Sequence, residues 1–230
     1  MSTEHTAAPA IADMSEQMQI RLEKRAKLIE SGREAYPVGL LDSEGNRVEP
    51  NHIEDLRAEY DPKLAAEELK AGDETDRVVH VGGRVVFVRN TGKLCFATLQ
   101  GGTEGKRIQA MLSLAEVGEE SLSEWKSLVD LGDHVFVTGR VIVSRRGELS
   151  IMVTDWKMAS KALRPMPVLH KDLNEETRVR QRYLDLMVRE EARELVKKRA
   201  LITRTVRRVL EDHGYIEVET PVLQLVHGGA

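Results

Sequence analysis

The sequence predicts a mainly β protein with added α-helices, centred on a five-stranded barrel. Residues 78–158 contain the runs HVGGRVVFVRNTGKLCFATLQ, KRIQAMLSL, HVFVTGRVIVSRR and GELSIMVTDWKM, which are apolar or alternating and rich in β-branched side chains. Glycine and asparagine bound these runs, Gly82-Gly83 among them, which is typical of tight turns between short strands. We therefore expect five strands within residues 73–160.

One helix is expected between the third and fourth strands. Residues 114–130 space Leu122, Trp125 and Leu128 at helical intervals. Five strands with a helix in this position follow the order of an OB-fold, whose exposed sheet face binds oligonucleotides. The same pattern also fits a small closed barrel that binds a peptide or no ligand. We favour nucleic acid and keep the peptide-binding barrel as the alternative.

Composition limits the kind of site that this chain can carry. The 230 residues have a formal net charge of −4, so a nucleic-acid site must be a local basic patch. The single cysteine, Cys95, excludes a disulfide within the chain, and no CxxC or Cys/His cluster indicates zinc. Cys95 lies in an apolar run and is predicted to be a small buried side chain. The sequence shows neither a signal peptide nor a membrane-spanning run, and we expect a cytoplasmic protein.

Residues 1–12 are predicted to be disordered, and residues 13–72 to form a helical extension. Its first helix should begin near Asp13 or Ser15 and end at Gly32. The apolar packing face is predicted from helical spacing: Met18, Leu22, Ala26 and Ile29. The other face is basic and should be solvated, with phosphate contacts as the alternative: Arg21, Lys24, Arg25 and Lys27. Beyond it, we expect a turn at 42–46 and a helix over 62–70, and infer no chemistry there.

The chain after the barrel is predicted to be a linker and hinge helix over 161–190, then a second domain. Two closely spaced prolines, Pro165 and Pro167, mark the linker, and a helix should begin near Asn174. An amphipathic helix over 190–212 and a strand over 215–221 should follow. The helix presents one apolar face: Leu195, Ile202, Val206, Val209 and Leu210. Because a lone strand cannot satisfy its own ladder, we expect a partner chain or a longer polypeptide to complete this domain.

Five motifs connect these segments to a family. The sequences GKLCFATLQ, GELSI, KALRPMP, RVRQRYLDL and GYIEVETPVLQLVHGGA occur in that order. Together they resemble the N-terminal half of bacterial lysyl-tRNA synthetases, class II aminoacyl-tRNA synthetases of the lysyl, aspartyl and asparaginyl subclass. YLDL is shared by the subclass, whereas KALRPMP and VETPVLQ resemble the lysyl branch. The resemblance implies an anticodon-binding OB-fold over 73–160 and the start of an α/β catalytic domain over 191–230.

The resemblance implies roles for four residues of the barrel. Phe96 corresponds to an aromatic residue that stacks on the central U of the anticodon, and Gln109 to a glutamine that bonds the edge of that base. Arg89 and Glu148 correspond to the arginine and the acid that complete the site. Stacking with edge contacts suits single-stranded RNA. Alternation along the second strand predicts that Phe96 points outward, and a core position is the alternative. For Glu148 the alternative is a surface acid beside a turn.

The end of the chain resembles motif 1 of the class II enzymes. This implies that a helix and strand form a dimer interface with Pro221 as its signature residue, and that Gly228 and Gly229 edge the amino-acid pocket. The complete enzyme would use ATP and Mg²⁺ to attach lysine to its tRNA. Residues 1–230 contain no counterpart of motifs 2 and 3, so this chain alone should bind neither cofactor and be inactive.

The expected partners are therefore the anticodon stem-loop of the tRNA for lysine and a second copy of the chain, but not DNA or a membrane. Two alternatives remain at this point. One is a stand-alone OB-fold module that binds tRNA or single-stranded RNA without catalysis. The other is the synthetase-like part of a membrane enzyme that attaches lysine to lipids.

Overall fold

The computed structural model describes residues 15–41, 45–167, 173–221, 223 and 228. The chain divides into two compact units, Met1–Leu173 and Asn174–Ala230. The predicted N-terminal extension and the predicted barrel fall within the first unit. The predicted hinge helix falls within the second unit, together with the amphipathic helix.

Five strands of the first unit form a closed barrel, which confirms the predicted OB-fold. Neighbours around the barrel follow the order β1-β2-β3-β5-β4, where β3 and β5 are parallel and the other pairs antiparallel. The strands are β1 Glu74–Thr91, β2 Leu94–Gly101, β3 Lys106–Ser113, β4 His134–Val143 and β5 Leu149–Ser160. Side chains of all five strands fill the interior, including the fully buried Val81, Leu99, Ile108, Val137 and Ile151.

The long strand β1 belongs to two sides of the barrel. Its first half pairs with β4 and its second half with β2. Gly82 and Gly83 lie within this strand, so the prediction of a turn there was wrong. A Cβ atom added at Gly83 would lie 2.9 Å from the Cβ of Leu99, closer than real contacts allow. Glycine is therefore needed here for the close approach of β1 to β2.

Two short helices, α3 (Leu114–Val117) and α4 (Glu119–Leu128), replace the single helix predicted between β3 and β4. Gly118, with φ of +81°, separates them. The predicted apolar residues of α4 are buried, and the Trp125 ring meets Trp156 edge-on with the ring centroids 5.1 Å apart. Helix α4 therefore packs its predicted apolar residues into the core.

The helix predicted over 62–70 lies earlier in the chain. Helix α2 is Ile53–Ala65, and it buries Ile53, Leu56 and Tyr60 in the core of the first unit. These three side chains are spaced at helical intervals on one face of α2, and Leu64 and Leu69 in the later segment also pack against the core. Part of the predicted turn, residues 42–44, lies outside the described residues, although Leu41 forms an antiparallel bridge with Arg47.

Helix α1 (Glu16–Glu30) forms where it was predicted, but the assignment of its faces was wrong. Arg21 is only 8% exposed, and its guanidinium donates to the carbonyl oxygens of Ala162 at 3.0 Å and Leu131 at 2.9 Å. Ile29, assigned to the packing face, is 48% exposed. Basic side chains anchor this helix because they donate hydrogen bonds to carbonyl and carboxylate oxygens. The predicted capping residue Asp13 lies outside the described residues.

Lys161 forms a buried ion cluster beside α1. Its Nζ lies 2.7 Å from Oδ2 of Asp130 and 2.7 Å from Oδ2 of Asp133, and it also donates to the Leu128 carbonyl at 2.7 Å. Lys24 of α1 reaches Asp130 at 2.6 Å. Burial raises the pKa of Asp130, but the hydrogen bonds and charges of Lys161 and Lys24 outweigh burial and lower it. The cluster therefore fixes the turn before β4 to the chain after β5.

His134 at the start of β4 should make the protein sensitive to acid. Burial, and then the positive charge of Arg84, lowers the pKa of its imidazole from 6.5 to about 4. An unfolded histidine binds a proton below pH 6.5, whereas this one stays neutral until about pH 4, so stability falls across that window. Between pH 7 and about 4.5, His134 should lower the free energy of unfolding of the parent by an amount on the order of 2–3 kcal/mol. The variant His134→Gln should not show this decrease. Urea unfolding at both pH values measures it, and equal losses in parent and variant would contradict it.

The described part of the second unit contains three helices: α5 Glu175–Arg180, α6 Arg182–Val188 and α7 Glu190–Asp212. Asn174 caps α5, since its side chain accepts from the Thr177 amide at 2.7 Å. Asp185 of the YLDL motif is fully buried and accepts from Arg182 at 2.8 Å and from Arg189 at 2.9 Å. The motif thus joins α6 to the start of α7.

Helix α7 matches the predicted bounds, and His213 with Gly214 ends it as expected. Its apolar side chains are between 46% and 62% exposed: Leu195, Val196, Leu201, Ile202, Val206, Val209 and Leu210. Residues 215–221 are not a strand, which corrects the prediction. No described segment pairs with them, and Ile216 is 84% exposed. Alternation alone does not make a strand without a neighbouring ladder.

Candidate nucleic-acid interface

The outer face of the barrel carries two cross-strand rows of side chains. The first, named here the Phe96 row, consists of Arg89, Phe96, Met111 and Met152 on β1, β2, β3 and β5. The second, the Phe87 row, consists of Phe87, Thr98, Gln109 and Ser150. On β2 the alternating residues Cys95, Ala97 and Leu99 are buried. The predicted outward direction of Phe96 is therefore confirmed.

A cation lies against the Phe96 ring. The guanidinium carbon of Arg89 is 4.7 Å from the ring centroid, within the range of a cation–π contact. The two residues face each other because Arg89 and Phe96 are register partners in the β1–β2 ladder. The strand pairing thus places a positive charge beside an aromatic ring on the surface.

Gln109 is held at the same surface by Ser150. The fully buried Ser150 hydroxyl lies 3.1 Å from Oε1 of Gln109 and 2.9 Å from the backbone oxygen of Glu148. A hydroxyl has one proton, so it donates to one of these oxygens at a time. The contact restricts the orientation of the Gln109 amide and links it to the start of β5.

Glu148 is positioned by Arg57 of α2, a residue that the sequence analysis missed. Arg57 donates to Glu148 Oε1 at 2.6 Å, to Asp61 at 3.2 Å and, through Nε, to the Arg107 carbonyl at 2.7 Å. Burial lowers the pKa of the Arg57 guanidinium, but the bonds to the two carboxylates outweigh burial and raise it. The only sequence signal was the i,i+4 spacing of Arg57 and Asp61, which is common on exposed helices.

All four predicted barrel residues line one open cavity of about 990 Å³. We call it the arginine-lined cavity, because its walls include five arginines, Arg57, Arg89, Arg107, Arg145 and Arg146. Two glutamates, Glu74 and Glu148, also line it. On a chain with a net charge of −4, this is the local basic patch that a polyanion requires. A surface phenylalanine among arginines suits a base together with its phosphates.

Family models match both units of the chain. Residues 79–159 match the OB-fold nucleic acid binding domain, and residues 174–230 match the class II tRNA synthetases for D, K and N. The lysine–tRNA ligase of Kineococcus radiotolerans is 55% identical over 218 residues, which cover 95% of this chain. That of Mycolicibacterium gilvum is 53% identical over 219 residues, again 95% of this chain. The chain is homologous to the N-terminal part of lysine–tRNA ligases.

The chain spans 41% of the length of these two lysine–tRNA ligases. A bifunctional protein of lysylphosphatidylglycerol biosynthesis from Mycobacterium avium is also similar, at 37% identity over 225 residues and 17% of its length. The ligases are thus the more similar of the two groups. Within the part of the chain that the structure describes, no helix is long and apolar enough to cross a membrane.

The predicted catalytic-domain residues, Pro221, Gly228 and Gly229, belong to the second unit, whereas the arginine-lined cavity belongs to the first. Pro221 and Gly228 are exposed in the second unit, and a Cβ atom added at Gly228 would have no neighbour within 4 Å. Gly229 lies outside the described residues. Nor do the described residues include a group of three or more His, Cys, Asp or Glu that could hold a metal ion. The roles of these glycines and of Pro221 remain predictions.

Proposed function

We propose that the arginine-lined cavity binds the anticodon loop of the tRNA for lysine, as part of a lysine–tRNA ligase. The observation that carries this proposal is the convergence of four side chains, Arg89, Phe96, Gln109 and Glu148, on one basic cavity. RNA is the expected ligand, rather than DNA or a membrane surface. The OB-fold match and the ligase relatives support the assignment. The cytoplasmic location remains a prediction.

Each side chain has a distinct role in this proposal. The Phe96 ring stacks on the central U, and Arg89 behind it adds positive charge toward the backbone of the loop. The Gln109 amide bonds the edge of the base, which has both donors and acceptors. Glu148, fixed by Arg57, accepts a hydrogen bond from an N–H of a neighbouring base. Arg107, Arg145 and Arg146 neutralise phosphates without reading sequence.

Gln109→Ala tests the edge reading. We expect binding to a U-centred stem-loop to weaken about 2- to 13-fold, the value of one net hydrogen bond, and the preference for U over C to fall with it. Fluorescence titration of stem-loops that differ only in the central base measures both effects. Gln181→Ala, at the junction of α5 and α6, is the matched control and should keep the preference. An unchanged preference for U in Gln109→Ala would reject the assigned role.

The ligase reaction itself belongs to the proposal for the whole enzyme. A complete ligase would use ATP and Mg²⁺ to activate lysine. The described residues offer no metal-binding group, and we assign no step of that reaction to them. Because residues 1–230 contain no counterpart of motifs 2 and 3, we propose that they alone show no lysine-dependent exchange between ATP and pyrophosphate.

The exposed apolar face of α7 supports a proposed homodimer. Seven side chains of this helix are close to half exposed or more, although each is aliphatic. Contiguous apolar surface of this kind usually marks a protein interface. We propose that α7 and the Pro221 segment pair with a second copy in the complete ligase.

A further inference from the structure

Phe87 on β1 is a second aromatic ring on the outer face of the barrel. It is 54% exposed, although a phenylalanine on β1 could have been directed into the core. Val85 and Val86 before it are both buried, so the in–out alternation of the strand is interrupted here. The register shift between Val85 and Phe87 marks this interruption, and Phe87 after it points outward. The roles proposed above do not use this ring.

The Phe87 ring borders the arginine-lined cavity and extends it. A second open cavity of about 830 Å³ is lined by Phe87 together with Ile20 of α1, Leu131 and Met166. Phe87, Thr98 and Arg107 line both cavities. The surface around Phe96 is therefore continuous with the surface around Phe87, and an arginine lies on the boundary between them.

The two rings are diagonal neighbours on adjacent strands. Phe96 faces Arg89, and Phe87 lies two residues before Arg89 on the same strand. Diagonal positions of this kind are roughly 7–8 Å apart across a ladder. Gln109 occupies the Phe87 row, with Thr98 between the two. Aromatic rings on neighbouring strands stack successive bases of single-stranded RNA in other β-sheet proteins.

We propose that Phe87 is a second base-stacking platform, which takes the nucleotide next to the one on Phe96. This inference rests on the proposed function of the arginine-lined cavity. The ligand is an unpaired RNA base of any type, because every base has a π-face that can stack on a ring. Arg107, which borders both cavities, contacts the phosphate that joins the two nucleotides. The loop is thus held by two rings rather than one.

The test combines substitutions of the ring with removal of single bases. The full chain carrying Phe87→Ala, Phe87→Tyr or Phe96→Ala is titrated with the U-centred stem-loop. Two further stem-loops lack the base on the 5′ or the 3′ side of the central U. We expect Phe87→Ala to weaken binding to the intact loop by roughly 5- to 150-fold and Phe87→Tyr to bind like the parent. One of the two abasic loops should bind parent and Phe87→Ala equally, since the stacked base is already missing.

The outcomes separate this inference from the proposed function. If Phe96→Ala weakens binding but Phe87→Ala does not, the second platform is rejected and the first stands. If Phe87→Ala weakens the intact loop and both abasic loops equally, the ring acts through the fold or another contact, which also overturns the inference. If the parent does not bind the U-centred loop, or Phe96→Ala has no effect, the proposed function fails, and this inference fails with it. Thermal melting should be unchanged in Phe87→Ala because the ring is exposed.

Discussion

Phe96→Ala should weaken binding to a U-centred anticodon stem-loop by roughly 5- to 150-fold, the equivalent of ~1–3 kcal/mol for the loss of one stacked base. The free energy of unfolding should change far less than the about 3–5 kcal/mol typical of a truncated buried ring. The free energy of unfolding should change little because the ring lies on the outer face of the barrel. The guanidinium carbon of Arg89 is 4.7 Å from the ring centroid. Stem-loop titration and urea unfolding on the same preparations measure the two quantities.

Phe96→Tyr is the matched control for this substitution. Tyrosine keeps the ring and its contact with Arg89, so RNA affinity should stay close to that of the parent. The salt dependence of binding should also stay the same in both variants, since neither changes a charge. A Phe96→Ala protein that unfolds readily but binds RNA normally in its folded fraction would show that the ring supports the core instead.

Lys161→Met should cause the largest loss of stability, about 3–5 kcal/mol, because it removes one partner of a buried ion cluster. Asp133 is fully buried and would lose the ammonium group that lies 2.7 Å from its Oδ2. Methionine has a similar length, so the effect reports the lost charge rather than a large cavity. Chemical unfolding at neutral pH measures the difference from the parent.

Lys106→Met is the control for Lys161→Met. Lys106 lies 3.8 Å from Glu104 on the surface, its side chain is 54% exposed, and exposed pairs are worth ~1 kcal/mol or less. The double variant Lys161→Met with Asp133→Asn should recover part of the loss, because it removes the unpaired charge as well. A loss below about 1 kcal/mol for Lys161→Met would contradict the structural importance of the cluster.

The barrel was predictable from sequence because strand alternation and turn residues are local signals. The direction of Phe96 followed from the same alternation, and the structure confirms it. The strand expected over 215–221 shows the limit of that reasoning, since a strand also depends on a neighbour with which to pair. Helix α7 needed no such neighbour, and its predicted bounds were correct.

Charged residues account for most of what the sequence did not reveal. The apolar spacing of α1 suggested the wrong face, because Arg21 is anchored by carbonyl groups of Leu131 and Ala162, far away in the chain. The contact between Arg57 and Glu148 could not be predicted for the same reason, since the two residues are 91 positions apart in the chain. Arg21 therefore joins α1 to the barrel and is not available for the phosphate contact considered from the sequence. Contacts of this kind become visible only when the fold brings the two segments together.

Cross-linking from the central base tests the central claim most directly. A stem-loop with 5-iodouracil in place of the central U is bound to the full chain and irradiated, and the RNA adduct is then located by trypsin digestion and mass spectrometry. Cleavage after Lys93 and Lys106 releases the peptide that contains Phe96, whereas Phe87 lies in a separate peptide that ends at Arg89. We predict an adduct on Phe96. Adducts confined to α1 or to the second unit, with none on the barrel peptides, would contradict anticodon binding in the arginine-lined cavity.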